Sequence, residues 1–222
     1  MSLTQPKLTL LYFDIHGLAA RIRLAAAVGG VELNDKRFAS REEFTSLKES
    51  GEFPYGQVPC LYVNSGSAQD VKIAQSGAIL RYICRLGGLH PEDAVQAAIV
   101  DAALAAEGDA FSAHGAVNYR GRSGLAHLDA TALAIAEKDL RENVIPRHLG
   151  YLEKLLSGSS TGWVANTQRP SPADFAWGTQ LHQLRTGGIN FVPSETLAPF
   201  PKINAFLDKF LAVPQVKSYY KL

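Results

Sequence analysis

Residues 7–30 have the sequence KLTLLYFDIHGLAARIRLAAAVGG, and this stretch decides how the first part of the chain folds. Residues 7–13 are mostly apolar and lead into a loop that contains Gly17, a combination that predicts a buried strand. Residues 19–28 then place apolar side chains at helical spacing, and two glycines follow them. A strand, a loop and a helix that ends at Gly29-Gly30 are therefore predicted in succession.

The same alternation of strand and helix patterns continues to about residue 86. We predict these further elements in order: a strand at 31–38, a short helix at 41–50, strands at 58–63 and 69–74 around the turn NSGSA (64–68), and a helix at 76–86. The order β-α-β-α-β-β-α indicates an α/β domain with a mixed four-stranded sheet, whose parallel pair is joined by a right-handed crossover.

Strand patterns are missing from the second part of the chain. The segment GGLHPED at 87–93 is rich in glycine, proline and polar residues, as linkers are. We therefore predict an α/β domain at 1–86, a linker at 87–93 and an all-α domain at 94–222. The helices expected after residue 86 are 93–114, 130–158 with a bend at Pro146, 172–184 and 200–213.

Composition narrows the classes of function. Lys and Arg number 22 against 21 Asp and Glu, so nucleic acid is not expected as a partner. The apolar runs are shorter than the roughly 20 residues that span a bilayer, and the N-terminus lacks a secretory signal pattern. Two cysteines, Cys60 and Cys84, are typical of reduced thiols, and the histidines lack metal-ligand spacing. We expect a soluble cytoplasmic protein with neither a metal nor a membrane partner.

Tyr12 is the first candidate for chemistry, because it follows the predicted strand directly before the loop that leads to a helix. Ligands of open α/β sheets collect where strands end and helices begin. A phenol at such a place can donate a hydrogen bond to an anion such as a thiolate. The alternative is a tyrosine that only packs against the end of the strand.

Two further segments carry groups suited to a peptide ligand. In Gln57-Val58-Pro59, a cis proline bond would leave the backbone of Val58 open to pair with an added peptide strand. The alternative is a proline that only starts a strand. In Gln75-Ser76, the start of a helix favours a carboxylate and the Gln75 amide can recognise an amino-acid head group, although Ser76 can also act only as a helix N-cap.

Three polar residues of the helical part have structural interpretations. Ser171 and Asp174, on either side of Pro172, form a helix-capping pattern that we interpret as structural. Asp101 lies on an otherwise apolar helix, AAIVDAALAA. We expect it either to face solvent or to face a cleft or subunit interface.

Taken together, seven segments resemble the cytosolic glutathione transferases, in particular the tyrosine-using classes near pi and sigma. The segments, in the order and spacing of that family, are LLYFDIHG, SLKES, YGQVPCLYV, IAQSGAILRYI, AAIVDAA, LEKLLSG and SPADF. The resemblance implies a thioredoxin-like domain that binds the co-substrate glutathione and an all-helical domain that contributes the electrophile pocket. It also implies a homodimer that transfers glutathione to small hydrophobic electrophiles.

The resemblance also implies roles for individual residues. Tyr12 would stabilise the thiolate, and Tyr55 would be an aromatic key inserted into the partner subunit. The residues that would contact glutathione are Lys48 at the glycine carboxylate, Gln57, Val58 and Pro59 at the cysteinyl backbone, Gln75 and Ser76 at the γ-glutamyl end, and Asp101 at the ligand of the other subunit. Residues expected to line the hydrophobic pocket are Phe13, Phe111 and Tyr119, with packing in the core as the alternative for all three.

Two positions depart from the family pattern. Leu18 occupies the place of an arginine that helps to organise the tyrosine and the thiolate, and the candidates to compensate are His16, Arg21 and Arg23. The family's tryptophan near the glycine carboxylate has no clear counterpart, with Phe44 or Glu42 as the alternatives. The assignment of Lys48 depends on the same alignment.

Other functions remain open on this fold. A non-catalytic protein that binds glutathione or a hydrophobic ligand is favoured by Leu18, and tyrosine-based relatives also act as isomerases or peroxidases. A thioredoxin-like oxidoreductase is disfavoured because its cysteine would stand at the N-terminus of the first helix, where this chain has none.

Overall fold

The computed structural model describes residues 6–64 and 70–222. The chain divides into two compact units, Met1–His90 and Pro91–Leu222, and the division falls within the predicted linker. The elements of the first unit are β1 (Leu8–Tyr12), α1 (Ala19–Gly29), β2 (Asn34–Arg37), α2 (Arg41–Glu49), β3 (Cys60–Val63), β4 (Val71–Ala74) and α3 (Ser76–Leu86). This order confirms the predicted β-α-β-α-β-β-α arrangement. Of the predicted turn at 64–68, residues 65–68 lie outside the described residues.

The sheet has the strand order β2-β1-β3-β4, in which β1 is parallel to β2 and antiparallel to β3. All five residues of β1 are buried, as expected for an inner strand of apolar residues. β1 is an inner strand of the sheet, and its last residue, Tyr12, directly precedes the loop that leads to α1. Tyr12 pairs in register with Arg37 of β2, so the sheet fixes the position of its backbone.

Helices α1 and α3 pack against each other. Their C-terminal ends approach so closely that a Cβ added to Gly29 would lie 2.9 Å from the Cα of Gly87. Glycine is required at this approach because any side chain would push the two backbones apart. On the opposite side of the first unit, α2 contributes Phe44 to a cluster with Phe38 and Phe53, whose rings lie 5.5 and 5.9 Å from it.

The second unit is built from helices. Its elements are α4 (Ala94–Asn118), α5 (Ala130–Asp139), a π-helical segment (Leu140–Val144), α6 (Ile145–Ser157), α7 (Pro172–Arg185), a 3₁₀ turn (Ser194–Leu197), α8 (Pro201–Ala212) and α9 (Pro214–Tyr220). The prediction of one bent helix at 130–158 was wrong in detail, because the π-helical segment separates α5 from α6. Pro146 lacks the N–H that would continue the helical hydrogen bonds. The N–H of Ile145, directly before it, donates to the carbonyl of Leu140, five residues earlier.

Asp174, in the first turn of α7, is fully buried and accepts three hydrogen bonds. The donors are the N–H of Val164 at 2.8 Å and both the N–H and the hydroxyl of Ser171 at 2.7 Å. Burial raises the pKa of Asp174 to about 6, while these hydrogen bonds act in the opposite direction. Asp174 thus joins the start of α7 to the segment before it.

Replacing Asp174 by alanine should lower the free energy of unfolding by about 3 kcal/mol, because it leaves buried donors without an acceptor. The matched control is Asp129→Ala, which removes an exposed cap that accepts one bond from the N–H of Ala132. That control should cost only about 1 kcal/mol. Urea unfolding measures both values, and equal losses in the two variants would contradict a special role for the buried aspartate.

Candidate active site

Tyr12 is 8% exposed and ends β1. Its hydroxyl oxygen accepts a hydrogen bond of 3.3 Å from the backbone N–H of Leu18, the N-cap residue of α1. A phenol hydroxyl can accept one hydrogen bond through its oxygen and donate another through its proton. Accepting from the Leu18 N–H is therefore compatible with donating to a second partner. The loop between β1 and α1 therefore determines where the hydroxyl lies.

Gly17 makes this position of the hydroxyl possible. It has a φ of +41°, and a Cβ at this residue would lie 2.6 Å from the Tyr12 hydroxyl oxygen. Both the backbone angle and the close approach exclude a side chain here. The sequence marked Gly17 as a loop residue, but its contact with the phenol is visible only in the structure.

Arg23 on α1 is the buried cation next to Tyr12. Its guanidinium carbon lies 5.9 Å from the centre of the Tyr12 ring. The same guanidinium donates to the carbonyls of Ile15 at 2.7 Å and Phe13 at 3.4 Å, and to the carboxylate of Asp35 at 3.0 Å. Of the three residues proposed to compensate for Leu18, the structure places Arg23 against the tyrosine ring.

Further charges surround this loop. Arg37 pairs with Asp14 and, at 2.9 Å, with Asp35, and these carboxylates raise its pKa. The pKa of His16 lies below its ordinary value, first because of burial and then because of the positive charges of Arg23 and Arg37. His16 is therefore neutral at pH 7 and adds no positive charge beside the tyrosine.

A small groove in the first unit brings together most of the predicted glutathione-binding residues. Its lining consists of Leu18, Tyr55, Gln57, Val58, Pro59, Ala74, Gln75 and Ser76. Leu18 belongs both to this lining and to the hydrogen bond with the Tyr12 hydroxyl. Leu18 therefore connects the Tyr12 hydroxyl with the groove.

Val58 contributes backbone groups to the groove. The peptide bond between Val58 and Pro59 is cis, which is one of the two alternatives that the sequence left open. The strand β3 begins only at Cys60, so Val58 lies outside the sheet ladder. Within residues 6–64 and 70–222 we find no backbone hydrogen bond to the N–H or the carbonyl of Val58, which suits both groups to a ligand backbone.

Gln75 and Ser76 stand at the start of α3. The N-cap is Gln75, which corrects the expectation that Ser76 caps the helix. Gln75 has a φ of +71°, an uncommon value for a residue with a side chain, and such values often occur at ligand sites. The carbonyl of Gln75 accepts from the N–H groups of Ala78 and Ile79, so the earlier N–H groups of the helix remain directed outward, where a carboxylate binds well.

Lys48 lies at the edge of this region. Its Cε is 3.5 Å from the place where a Cβ on Gly56 would stand, and Gly56 connects two residues of the groove lining, Tyr55 and Gln57. Phe44, one alternative for the missing tryptophan, packs within the aromatic cluster of the first unit. Glu42, the other alternative, is exposed on α2.

The remaining predicted site residues do not line the groove. Phe13 packs edge-on against the Tyr12 ring, with ring centres 5.6 Å apart, and also contacts Phe38 and Phe44 at 5.1 and 5.0 Å. In the second unit Phe111 is 6% exposed and packs edge-on against Trp177, which leaves it little surface for a ligand. The second unit also carries Tyr119, exposed beside Arg122, and Asp101, half-buried on α4.

Other kinds of site find no support in the described part of the chain. Both cysteines are buried and neither forms a disulfide, and burial raises the pKa of Cys60 to about 11, which disfavours its reactive thiolate form. Among residues 6–64 and 70–222, no group of three or more His, Cys, Asp or Glu side chains is arranged to hold a metal ion. Every described helix is too short or too polar to cross a membrane.

Comparison with known proteins identifies the family. Residues 8–85 match the model of the glutathione S-transferase N-terminal domain, and residues 123–221 match that of a glutathione S-transferase C-terminal domain. A curated Caenorhabditis elegans protein named glutathione S-transferase P is 33% identical over 216 residues, covering 93% of this chain and 94% of that protein. The chain belongs to the glutathione S-transferase family. Its first unit is accordingly the family's thioredoxin-like domain and its second unit the helical domain.

Solved structures of this family show the same fold. The Pi-class glutathione S-transferase of Onchocerca volvulus has a TM-score of 0.78 and 26% identity, covering 97% of this chain and 92% of that one. A glutathione S-transferase of Necator americanus, described as monomeric, has a TM-score of 0.76 at 24% identity, covering 97% and 96% of the two chains.

Replacing Gly17 by alanine should displace the Tyr12 hydroxyl, because the new Cβ would overlap it. In protein labelled with ¹³C at the tyrosine ζ position, the resonance of Tyr12, assigned with Tyr12→Phe, should move. Gly30→Ala is the matched control, since Gly30 also has a positive φ of 65° but no atom within 4 Å of an added Cβ. An unmoved Tyr12 resonance in Gly17→Ala would show that the loop does not set the position of the phenol.

Proposed function

We propose that this family member transfers glutathione, through its sulfur, to small hydrophobic electrophiles, and that Tyr12 holds that sulfur as a thiolate. The observation that carries the proposal is the hydrogen bond from the Leu18 N–H to the Tyr12 hydroxyl, because Leu18 also lines the groove. The similarity to proteins named Pi-class or P further supports a tyrosine-using class.

Glutathione would lie along the groove as a short added strand. Its cysteinyl backbone would pair with the open N–H and carbonyl of Val58, in the manner of peptide addition to a sheet edge. Its γ-glutamyl carboxylate would bind at the N-terminus of α3, beside the Gln75 amide and the Ser76 hydroxyl. Gln57 would lie beside the peptide, and Lys48 would meet the glycine carboxylate at the other end.

The chemistry depends on the fraction of bound glutathione that is ionised. A hydrogen bond to a charged partner contributes about 1.5–3 kcal/mol, and about 1.4 kcal/mol equals one pKa unit. Donation from Tyr12 would therefore lower the thiol pKa by roughly one to two units from about 8.5. The thiolate would then attack the electrophilic carbon, and the leaving group would depart with the bonding electron pair.

The electrophile would occupy apolar surface close to the sulfur. Leu18 is exposed at the groove and lies beside the Tyr12 hydroxyl, which makes it a candidate for this contact. From the helical unit we propose Tyr119, whose ring is exposed. Phe13 would act through its edge-on contact with the Tyr12 ring, and Phe111 through its packing against Trp177.

A non-catalytic glutathione-binding protein is the second candidate, and the observation that favours it is the apolar Leu18 side chain. The backbone N–H of residue 18 still reaches the Tyr12 hydroxyl, whatever its side chain is. The two functions differ in one measurable property: a binding protein leaves the thiol pKa of bound glutathione unchanged, whereas a transferase lowers it. Isomerase or peroxidase activity would use the same thiolate.

We also propose a cytoplasmic homodimer. Tyr55 is 66% exposed and lines the groove, so its ring is accessible to a second copy of the chain. The helical unit contains an apolar cavity of about 160 Å³ lined in part by Ala103, Ala106, Tyr151 and Leu155. A cavity of roughly 150 Å³ holds a benzene ring, so the Tyr55 ring of one copy would fit this cavity in the other. Asp101 would face the ligand of the second copy.

Tyr12→Phe should reduce turnover of an aryl halide by at least about tenfold and raise the thiol pKa of bound glutathione by about one to two units. Glutathione affinity should change little, since the peptide contacts remain. Conjugate absorbance, thiolate absorbance against pH and calorimetric titration measure these three quantities.

The matched control for this prediction is Tyr62→Phe, which removes a hydroxyl of the same unit that donates to Glu52 at 2.9 Å. It should retain wild-type turnover and thiol pKa. If Tyr12→Phe behaves like this control, Tyr12 has no part in the reaction. If the wild-type protein binds glutathione without any fall in thiol pKa, the binding function replaces the transferase.

Tyr55→Ser should weaken self-association by at least about tenfold, because truncating a buried aromatic anchor costs 2 kcal/mol or more. Sedimentation velocity over a range of protein concentrations measures the dissociation constant. Tyr119→Ser is the control, an equally exposed tyrosine outside the proposed contact. A wild-type protein that is monomeric at micromolar concentration, or equal association in both variants, would contradict the proposed dimer.

A further inference from the structure

Arg23 joins three segments of the first unit around the tyrosine. Its side chain extends back towards the N-terminus of α1, the usual direction for long side chains on a helix. It binds the carbonyls of Phe13 and Ile15, in the loop that ends at Leu18, and the carboxylate of Asp35 on β2. The guanidinium therefore holds the loop that brings the Leu18 N–H to the phenol.

Arg23 also places positive charge at the phenol. It is the most buried charged group of its cluster, with a side chain 7% exposed, whereas Asp35, Arg37 and Asp14 are 24%, 45% and 72% exposed. Solvent screens exposed charges more strongly than buried ones. Asp35 also shares its carboxylate between Arg23 and Arg37, so it neutralises Arg23 only in part.

We propose that Arg23 is a positioning residue that lowers the thiol pKa of glutathione bound at Tyr12, in place of the arginine that is absent at position 18. The inference rests on the proposed function. The apolar side chain of Leu18 supplies no charge, and His16 is neutral at pH 7. Arg23 stabilises the anionic sulfur through the polarised phenol and through its own field, without contact with the substrate.

The test measures the thiol pKa of bound glutathione by thiolate absorbance in three variants. Arg23→Gln removes the charge and should raise the pKa by about one unit, the low end for one nearby charge. Arg23→Lys keeps the charge and should restore most of that shift. Asp35→Asn removes the neutralising carboxylate and should lower the pKa below that of the wild-type protein. Opposite shifts in the Gln and Asn variants support the proposal.

A purely structural role predicts a different pattern. Loss of either partner of the Arg23–Asp35 ion pair would then loosen the loop. Arg23→Gln and Asp35→Asn would both raise the thiol pKa of bound glutathione, or both would leave it unchanged. Either result overturns the proposal, and so does a pKa in Arg23→Gln equal to that of wild type. Arg185→Gln is the control, because Arg185 forms a comparable ion pair with Asp208 at 2.7 Å in the helical unit and should leave the pKa unchanged.

Failure of this inference is distinguishable from failure of the proposed function. The proposed function fails when Tyr12→Phe leaves the thiol pKa at its wild-type value. The present inference fails when Tyr12→Phe raises the pKa but Arg23→Gln does not. If Arg23→Gln does not fold, the other two variants still test the proposal. It predicts a thiol pKa close to that of wild type in Arg23→Lys and a lower one in Asp35→Asn.

Discussion

The hydrogen bond from the Leu18 N–H to the Tyr12 hydroxyl is the contact on which the rest of the site depends. It exists because β1 lies inside the sheet and ends beside the start of α1, so that a strand side chain meets a helix N-cap. Gly17 permits the close approach, and Arg23 binds the carbonyls of the same loop. Three residue types with different physical roles thus determine the position of one phenol.

Backbone groups form much of the groove beside this phenol. The amide of Leu18, the open peptide groups of Val58 and the first amides of α3 lie outside the sheet ladder and the helix hydrogen bonds. Because every residue other than proline carries these groups, such a site tolerates side-chain changes. This property explains how residue 18 donates its N–H to the tyrosine although its side chain is apolar.

Packing and capping contacts stabilise the interior of the helical unit. Asp174 connects the start of α7 with the segment at Val164, and the Trp177 indole N–H donates to the carbonyl of Ala103 on α4. Phe111 packs against Trp177 and therefore belongs to this interior. Its apolar character suggested a pocket from the sequence, but sequence alone does not distinguish a ring that faces a ligand from one that faces another helix.

Local chemistry alone determined the order of the elements, because apolar periodicity, glycines and prolines act within a few residues. It identified Tyr12, Val58 and Gln75 as candidates from the turns in which they occur. Only the tertiary structure decided that Arg23 lies against the Tyr12 ring, and that Phe44 packs in a cluster. The contact of Arg23 with Asp35 joins residues twelve positions apart. Such contacts depend on how a helix and a strand pack together, which no local sequence pattern contains.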